Sequence, residues 1–234
     1  RRTTAPVDSV RFLPFVLDES AARESFANWA SKLKLAPRDL PQRAAITSLT
    51  PVWLPLWLAS ARCSATWRGK KGETRFDTET VSGPDGKPKS RQVSRVEFTE
   101  LDGTFNEGFN NVVIDAGAAP GDKVPTLLDE ASAQHAQSAA SLPGGPIAIK
   151  AARVDRVNAQ TQLRVIAERR VRSRALAKLG GTHSEITQFH MQLDDVALTQ
   201  VHCPAFEGRY RYAGTEYAFW VNADSGNADS DSPL

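Results

Sequence analysis

The sequence predicts an α+β fold in which antiparallel, aromatic-rich β-hairpin and sheet elements pack with two main helices. Three patterns lead to this fold class: an amphipathic helix near the N-terminus, a long basic helix further on, and an aromatic hairpin near the C-terminus. With 234 residues and 41% apolar content, the chain can bury a sizeable core. Its net charge of +2 does not by itself select an anionic partner.

The first helix is predicted from Asp18 or Ser20, either of which can act as the N-cap, to about Leu35. A short extended stretch at 12–15 precedes it, because a residue before proline avoids the α region. One face of the helix repeats apolar residues at helical spacing. These residues are Ala22, Phe26, Trp29, Ala30 and Leu33.

A second aromatic stretch, residues 50–76, predicts a β-rich run that turns at 68–72, where glycine occurs twice. Its Trp67-Arg68-Gly69 resembles Tyr212-Ala213-Gly214 near the C-terminus. The two stretches are therefore interpreted either as a pseudo-repeat or as two aromatic hairpins that are alike for packing reasons alone.

The middle of the chain alternates turn signals with short periodic segments. In order, the predictions are an exposed loop at 82–90, a strand at 91–98, a short apolar strand at 112–114, a loop at 117–123, a weak helix at 125–138 and a break at 142–146.

The longest helix is predicted from about Ile149 to Leu179 and is ended by Gly180 and Gly181. Residues 150–178 carry nine basic and two acidic side chains, a net charge of +7, beside an apolar stripe. The stripe is predicted at Val154, Val157, Leu163, Ile166, Val171 and Leu176. A surface for an anionic partner is predicted at Arg153, Arg156, Arg164, Arg169, Arg170, Arg172, Arg174 and Lys178.

A strand at 185–201 leads into the C-terminal hairpin, residues 206–222, whose two-residue turn is predicted at Ala213 and Gly214. This register pairs Tyr212 with Thr215 and Tyr210 with Tyr217. One face of the hairpin is aromatic and is expected to be buried, and the other is charged. The aromatic face is predicted to hold Phe206, Tyr210, Tyr212, Tyr217, Phe219 and Val221.

The domain organisation predicted from these elements is a single α+β unit between two polar ends. The segments are a flexible N-terminus at 1–11, a domain at 12–223 with halves at 12–140 and 146–223, and an acidic tail at 224–234 that is mobile at its end. The sequence begins at Arg1 without an initiator methionine, which suggests a fragment of a longer product. It contains no apolar run long enough for a transmembrane helix.

Several motifs occur in a fixed order: LPF at 13–15, a helix with a central Trp29, PVWLPLW at 51–57, and the long aromatic ending. In this order they resemble a group of poorly characterised bacterial proteins, usually labelled zinc-ribbon or replication-restart-helicase-like, from about Leu13 to Pro233. The resemblance implies an adaptor role in membrane-associated assemblies with phage-shock-type or SPFH-type partners. Helicase activity is not implied, because the ribbon's cysteine pairs and the GxxxxGK[ST] loop are both missing.

No residue set predicts catalysis, a cofactor or a metal site. The two cysteines, Cys63 and Cys203, are interpreted as buried reduced thiols, with a single disulfide between them as the alternative. Asp194 and Asp195 are adjacent between apolar runs, which favours a turn over an acid/base pair. The four histidines lack the close pairing that zinc requires; they are His135, His183, His190 and His202.

The sequence therefore predicts a non-enzymatic assembly or adaptor domain of a bacterial complex, cytoplasmic or peripheral to the membrane, with a protein partner or a second copy of itself. The alternative is a nucleic-acid-binding accessory protein that uses the basic helix 150–178. An anionic membrane surface is a further candidate partner for that helix.

Overall fold

The computed structural model describes residues 10–33, 36–82, 87–117, 137–138 and 147–231. This part of the chain is mostly antiparallel strand with three helices, broadly an α+β fold in which strand outweighs helix. The α+β class is confirmed at this level. The elements are β1 (Arg11–Phe12), α1 (Glu19–Lys32), α2 (Leu40–Arg43), β2 (Ala45–Ser82), β3 (Pro88–Asp115), β4 (Gln137–Ser138), β5 (Ala148–Ile149), α3 (Arg156–Leu179), β6 (His183–Tyr212), β7 (Thr215–Asn222) and β8 (Ala228–Ser230).

Hydrogen bonds order the strands β3-β2-β6-β1-β4, with β5 beside β2 and with β7 between β6 and β8. Residue contacts divide the chain into two compact units. The first draws on the described parts of Arg1–Ser60, Asn110–Leu163 and Val196–Leu234, and the second on Ala61–Phe109 and Arg164–Asp195. The elements β2, β3, α3 and β6 contribute residues to both units.

The C-terminal hairpin forms as predicted, with Tyr212 opposite Thr215 and Tyr210 opposite Tyr217. Ala213 and Gly214 have φ angles of 49° and 84°, the positive values that a two-residue hairpin turn of this kind requires. The aromatic face is buried in the core of the first unit. The prediction of the hairpin, its register and its buried face is confirmed.

Helix α1 begins where the sequence predicts, because the Asp18 carboxylate accepts a hydrogen bond from the Ala21 amide at 2.8 Å. It ends at Lys32, earlier than predicted. Its buried face packs on the hairpin, with the ring of Phe26 centred 4.2 Å from Phe219. This aromatic cluster forms a hydrophobic core of the first unit.

The turn predicted at 68–72 is wrong, because β2 continues through it. A Cβ added at Gly69 would lie 2.6 Å from both the Glu185 carbonyl oxygen and the Leu179 side chain. Glycine there permits close packing of β2 against β6 and α3, and does not mark a reversal of the chain. The comparison of 67–69 with the hairpin turn at 212–214 therefore fails, and with it the pseudo-repeat of two hairpins.

Helix α3 begins at Arg156 and not at about Ile149, which belongs to β5. The Asp155 carboxylate accepts a hydrogen bond from the Asn158 amide at 2.8 Å and so caps the first turn. The end of the helix is as predicted, with Gly180 at a φ of 63°.

The apolar stripe predicted for α3 is only partly correct. Leu163 and Val171 are buried, but Val157 is 72% exposed and Leu176 is 41% exposed. The buried positions recur every four residues, and half of them are alanine. They are Ala159, Leu163, Ala167, Val171, Ala175 and Leu179.

The structure also differs from the predictions for residues 125–138 and for the acidic tail. The helix predicted at 125–138 lies outside the described residues except for its last two, which form β4 and pair with β1. The acidic tail contributes β8 to the sheet beside β7, since Val221 pairs with Ala228. The strand at 91–98 is confirmed as part of the longer β3.

The core of the second unit lies where three strands meet α3. Trp67 of β2 is buried against Ala175 and Leu179 of the helix. Phe105 of β3 and Phe189 of β6 pack against the same cluster from the two neighbouring strands. This cluster determines where the basic side chains of α3 can lie.

Candidate assembly surface

The predicted anionic-partner residues are divided between the two compact units of the chain. Arg153 precedes α3 and Arg156 begins it, and both are exposed. The other six lie on the part of the helix that belongs to the second unit. They are distributed on both flanks of its buried stripe: Arg164, Arg169, Arg170, Arg172, Arg174 and Lys178.

At least three of these basic side chains have contacts within the second unit. Arg172 forms an ion pair with Glu168 at 2.8 Å and lies 4.2 Å from the centre of the Phe189 ring. Arg174 forms an ion pair with Glu107. Lys178 lies 5.7 Å from the centre of the Phe105 ring. Their stems and charges cover the aromatic rim of the core, the usual behaviour of amphipathic side chains at such an edge.

The candidate nucleophiles lie in surroundings that keep them protonated. Burial, with a smaller contribution from Asp224, raises the pKa of Cys203 to about 12. Burial also raises the pKa of Cys63. Both cysteines are free thiols. At neutral pH neither is the thiolate that nucleophilic catalysis needs.

Of the histidines, His202 is the buried one among those described. Its ring stacks on Phe12 with centroids 4.7 Å apart, and burial lowers its pKa. His183 and His190 are exposed, and His135 lies outside the described residues. Within the described ranges no three potential ligands cluster closely enough to hold a metal ion.

The turn predicted at Asp194 and Asp195 is wrong, because β6 continues through both residues. Asp195 has a φ of 51° and its carboxylate pairs with Arg62. The positive φ marks a local distortion within the strand, and the charge of Asp195 is neutralised by Arg62.

A further feature, which lies beyond the turn predicted at 68–72, is a two-stranded ribbon in the second unit. It consists of residues 73–82 of β2 and 88–101 of β3, and most of its side chains are exposed on both faces. We call it the ribbon. One face is charged: Arg75 pairs with Glu97 at 2.6 Å, and Arg95 pairs with Glu79 at 2.6 Å.

The other face of the ribbon carries an apolar patch. Side chains alternate along a strand, so Phe76, Val96 and Phe98 point away from the charged pairs. They are exposed by 66%, 40% and 56% respectively. Two of the three are large aromatic residues, so this patch, which we call the ribbon face, is not an ordinary scatter of single exposed apolar residues.

The sequence does contain a signal for the ribbon. Charged residues alternate with threonine and Phe76 before the loop at 82–90, and charged residues alternate with Val96 and Phe98 after it. Two alternating segments on either side of a Gly- and Pro-containing loop are the usual pattern of a hairpin. The turn predicted at 68–72 ends the first strand too early for this pairing. A reversal at 82–90 pairs the two segments and predicts the ribbon.

Comparisons of the chain with protein-family models, with curated proteins and with solved structures find no match. The resemblance to the zinc-ribbon-labelled bacterial group stays a prediction. Among the described helices, none is both long enough and apolar enough to cross a membrane.

Proposed function

We propose that this chain is a non-enzymatic assembly or adaptor domain that docks to a protein through the ribbon face. The observation that carries the proposal is the exposure of Phe76, Val96 and Phe98 together on one side of the ribbon. An isolated two-stranded ribbon is only marginally stable in water, and a partner would cover it.

The energetic gain from docking is large enough to matter. Complete burial of a fully exposed apolar side chain contributes about 1.5–3 kcal/mol, and the side chains of the ribbon face, which are 40% to 66% exposed, would contribute the corresponding part of that free energy. Aromatic anchors of this kind commonly account for much of the binding free energy at protein interfaces. Phe76 and Phe98 are therefore the expected anchors.

The non-enzymatic part of the proposal is supported by the environment of the candidate groups. The Cys203 thiol has a pKa raised to about 12, and the Asp195 carboxylate is paired with Arg62. The alternative, binding of nucleic acid through α3, has weaker support because Arg172, Arg174 and Lys178 already have intramolecular contacts.

Site-specific photo-crosslinking tests the proposal. A photoreactive phenylalanine analogue is placed at Phe76 in cells that naturally make the protein, and at Val157, exposed by 72% on α3, as a matched control. We expect a discrete protein adduct from position 76 that disappears with Phe98→Ser, and none from position 157. Equal labelling at both positions, or an adduct that persists with Phe98→Ser, would refute docking through the ribbon face.

A further inference from the structure

We propose that the protein docked at the ribbon is a second copy of this chain, and that β3 pairs antiparallel with β3 of that copy. This inference rests on the proposed function and names its partner. Three features support a second copy as the partner: the free edge of β3, the order of charges along β3 and the position of the ribbon face.

The edge of β3 is open to another strand. Among the described strands, β3 stands at the end of the sheet order and has β2 as its neighbour. Its outer edge in the second unit, residues 88–109, therefore presents backbone N–H and C=O groups without a described strand beside them. Such an edge is a template for pairing with another chain.

The charges on β3 are separated by sign. Residues 88–96 carry three basic and no acidic side chains, and residues 97–107 carry three glutamates and one aspartate and no basic side chain. Antiparallel pairing with an identical strand places the basic half of each copy against the acidic half of the other. Parallel pairing would place like charges together, so electrostatic complementarity selects the antiparallel arrangement.

The ribbon face sets the register. The apolar faces of the two copies become continuous only if even-numbered residues pair with even-numbered ones, since a shift by one residue exchanges the faces. Centring the pair on Val96 places Val96 opposite its counterpart and Arg95 opposite Glu97 of the second copy. Shifting the centre to residue 95 or 97 would instead oppose Arg95 to Arg95 or Glu97 to Glu97.

In the Val96-centred register the two copies are complementary on both faces of the ribbon. On the charged face, each Arg75–Glu97 pair continues into an Arg95–Glu79 pair of the other copy, so positive and negative charges alternate across four strands. On the opposite face, the three apolar residues of each copy form one cluster of six. The ribbon thus becomes the centre of a four-stranded sheet.

Cysteine crosslinking tests this register directly. Two residues facing each other across antiparallel strands have Cα atoms within disulfide range, so Val96→Cys should form a disulfide-linked dimer at least about tenfold faster than Val157→Cys under mild oxidation. Cys63 and Cys203 are buried in the native chain and serve as an internal background. Light scattering of the unmodified full chain should report a dimer.

Charge reversal provides the second test. Arg95→Glu and Glu97→Arg should each give a monomer. Residue 95 of each copy faces residue 97 of the other, so either reversal places two like charges opposite each other at both of these contacts. An equimolar mixture of the two variants should recover a dimer, because the glutamate introduced at position 95 of one copy then meets the arginine introduced at position 97 of the other. The double reversal Arg164→Glu with Arg169→Glu on α3 is the matched control and should leave the dimer intact.

The outcomes separate the two proposals. A monomeric chain whose position 76 still crosslinks another protein overturns the β3 pairing and leaves the proposed function standing. Another outcome is a dimer that Phe98→Ser abolishes but in which Val96→Cys reacts no faster than Val157→Cys. This outcome also overturns the β3 pairing and leaves the proposed function standing. A monomer without any adduct at position 76 overturns both.

Discussion

The hydroxyl of Tyr212 donates a hydrogen bond to the Asp39 carboxylate at 2.6 Å. This contact joins the last residue of β6 to the residue that precedes α2, 173 positions away in the sequence. The Tyr212 hydrogen bond is the main cause that lowers the pKa of Asp39, and Arg43 adds to it. The turn of the C-terminal hairpin is thereby tied to the N-terminal part of the first unit.

Tyr212→Phe is expected to lower the melting temperature at pH 7 and to reduce the acid sensitivity of the protein. The lowered pKa of Asp39 means that its contribution to stability is present above the ordinary value of 3.8 and is lost as pH falls through the folded-state value. The difference in melting temperature between wild type and variant should therefore shrink below pH 3.8. Tyr217→Phe is the control, and an unchanged difference at low pH would contradict the assignment.

His202→Phe is expected to flatten the dependence of stability on pH near neutrality. Burial lowers the His202 pKa, so the unfolded chain binds more protons than the folded chain as pH falls below the ordinary value of 6.5. Stability is thus full above that value and falls below it, by at most about 1.4 kcal/mol per pH unit from this group. Phenylalanine retains the stack on Phe12 without titrating.

Urea denaturation at pH 7.5 and pH 5.5 measures this effect. The free energy of unfolding of wild type should fall more between the two pH values than that of His202→Phe. His190→Gln, at an exposed position, should behave as wild type. Parallel pH dependence of wild type and His202→Phe would contradict the prediction.

Gly69→Ala is expected to destabilise the second unit by about 1–3 kcal/mol, the usual cost of overpacking. The new methyl group would lie 2.6 Å from a backbone carbonyl oxygen of β6, which cannot rotate away. Thermal unfolding checks the effect. Ser64→Ala, on the exposed side of the same strand, should change the melting temperature little, and a Gly69→Ala variant as stable as wild type would show that β2 can move aside.

Asp18→Ala is expected to cost about 1 kcal/mol, since the cap of α1 is lost. Asp18→Asn retains a side-chain oxygen for the Ala21 amide and should recover most of the stability. Chemical denaturation distinguishes the two variants. Equal destabilisation by alanine and asparagine would indicate that the charge of Asp18, and not its hydrogen bond, stabilises the helix.

Features that depend on local conformation could be predicted from the amino-acid sequence. The hairpin register follows from the positive φ at Ala213 and Gly214, the start of α1 from the Asp18 cap, and the end of α3 from Gly180. Each is decided within a few residues by backbone sterics and a short-range hydrogen bond, so a short stretch of sequence contains the whole cause.

The lengths of β2 and β3, and with them the ribbon, depend on the folded chain. A glycine such as Gly69 permits either a turn or a close approach, and the choice depends on Leu179 and Glu185, which are distant in sequence. The contacts of Arg172, Arg174 and Lys178 on α3 likewise depend on side chains that other strands supply. Contacts between residues far apart in the chain leave no local pattern, and only the folded chain decides that β2 continues through Gly69 into the ribbon.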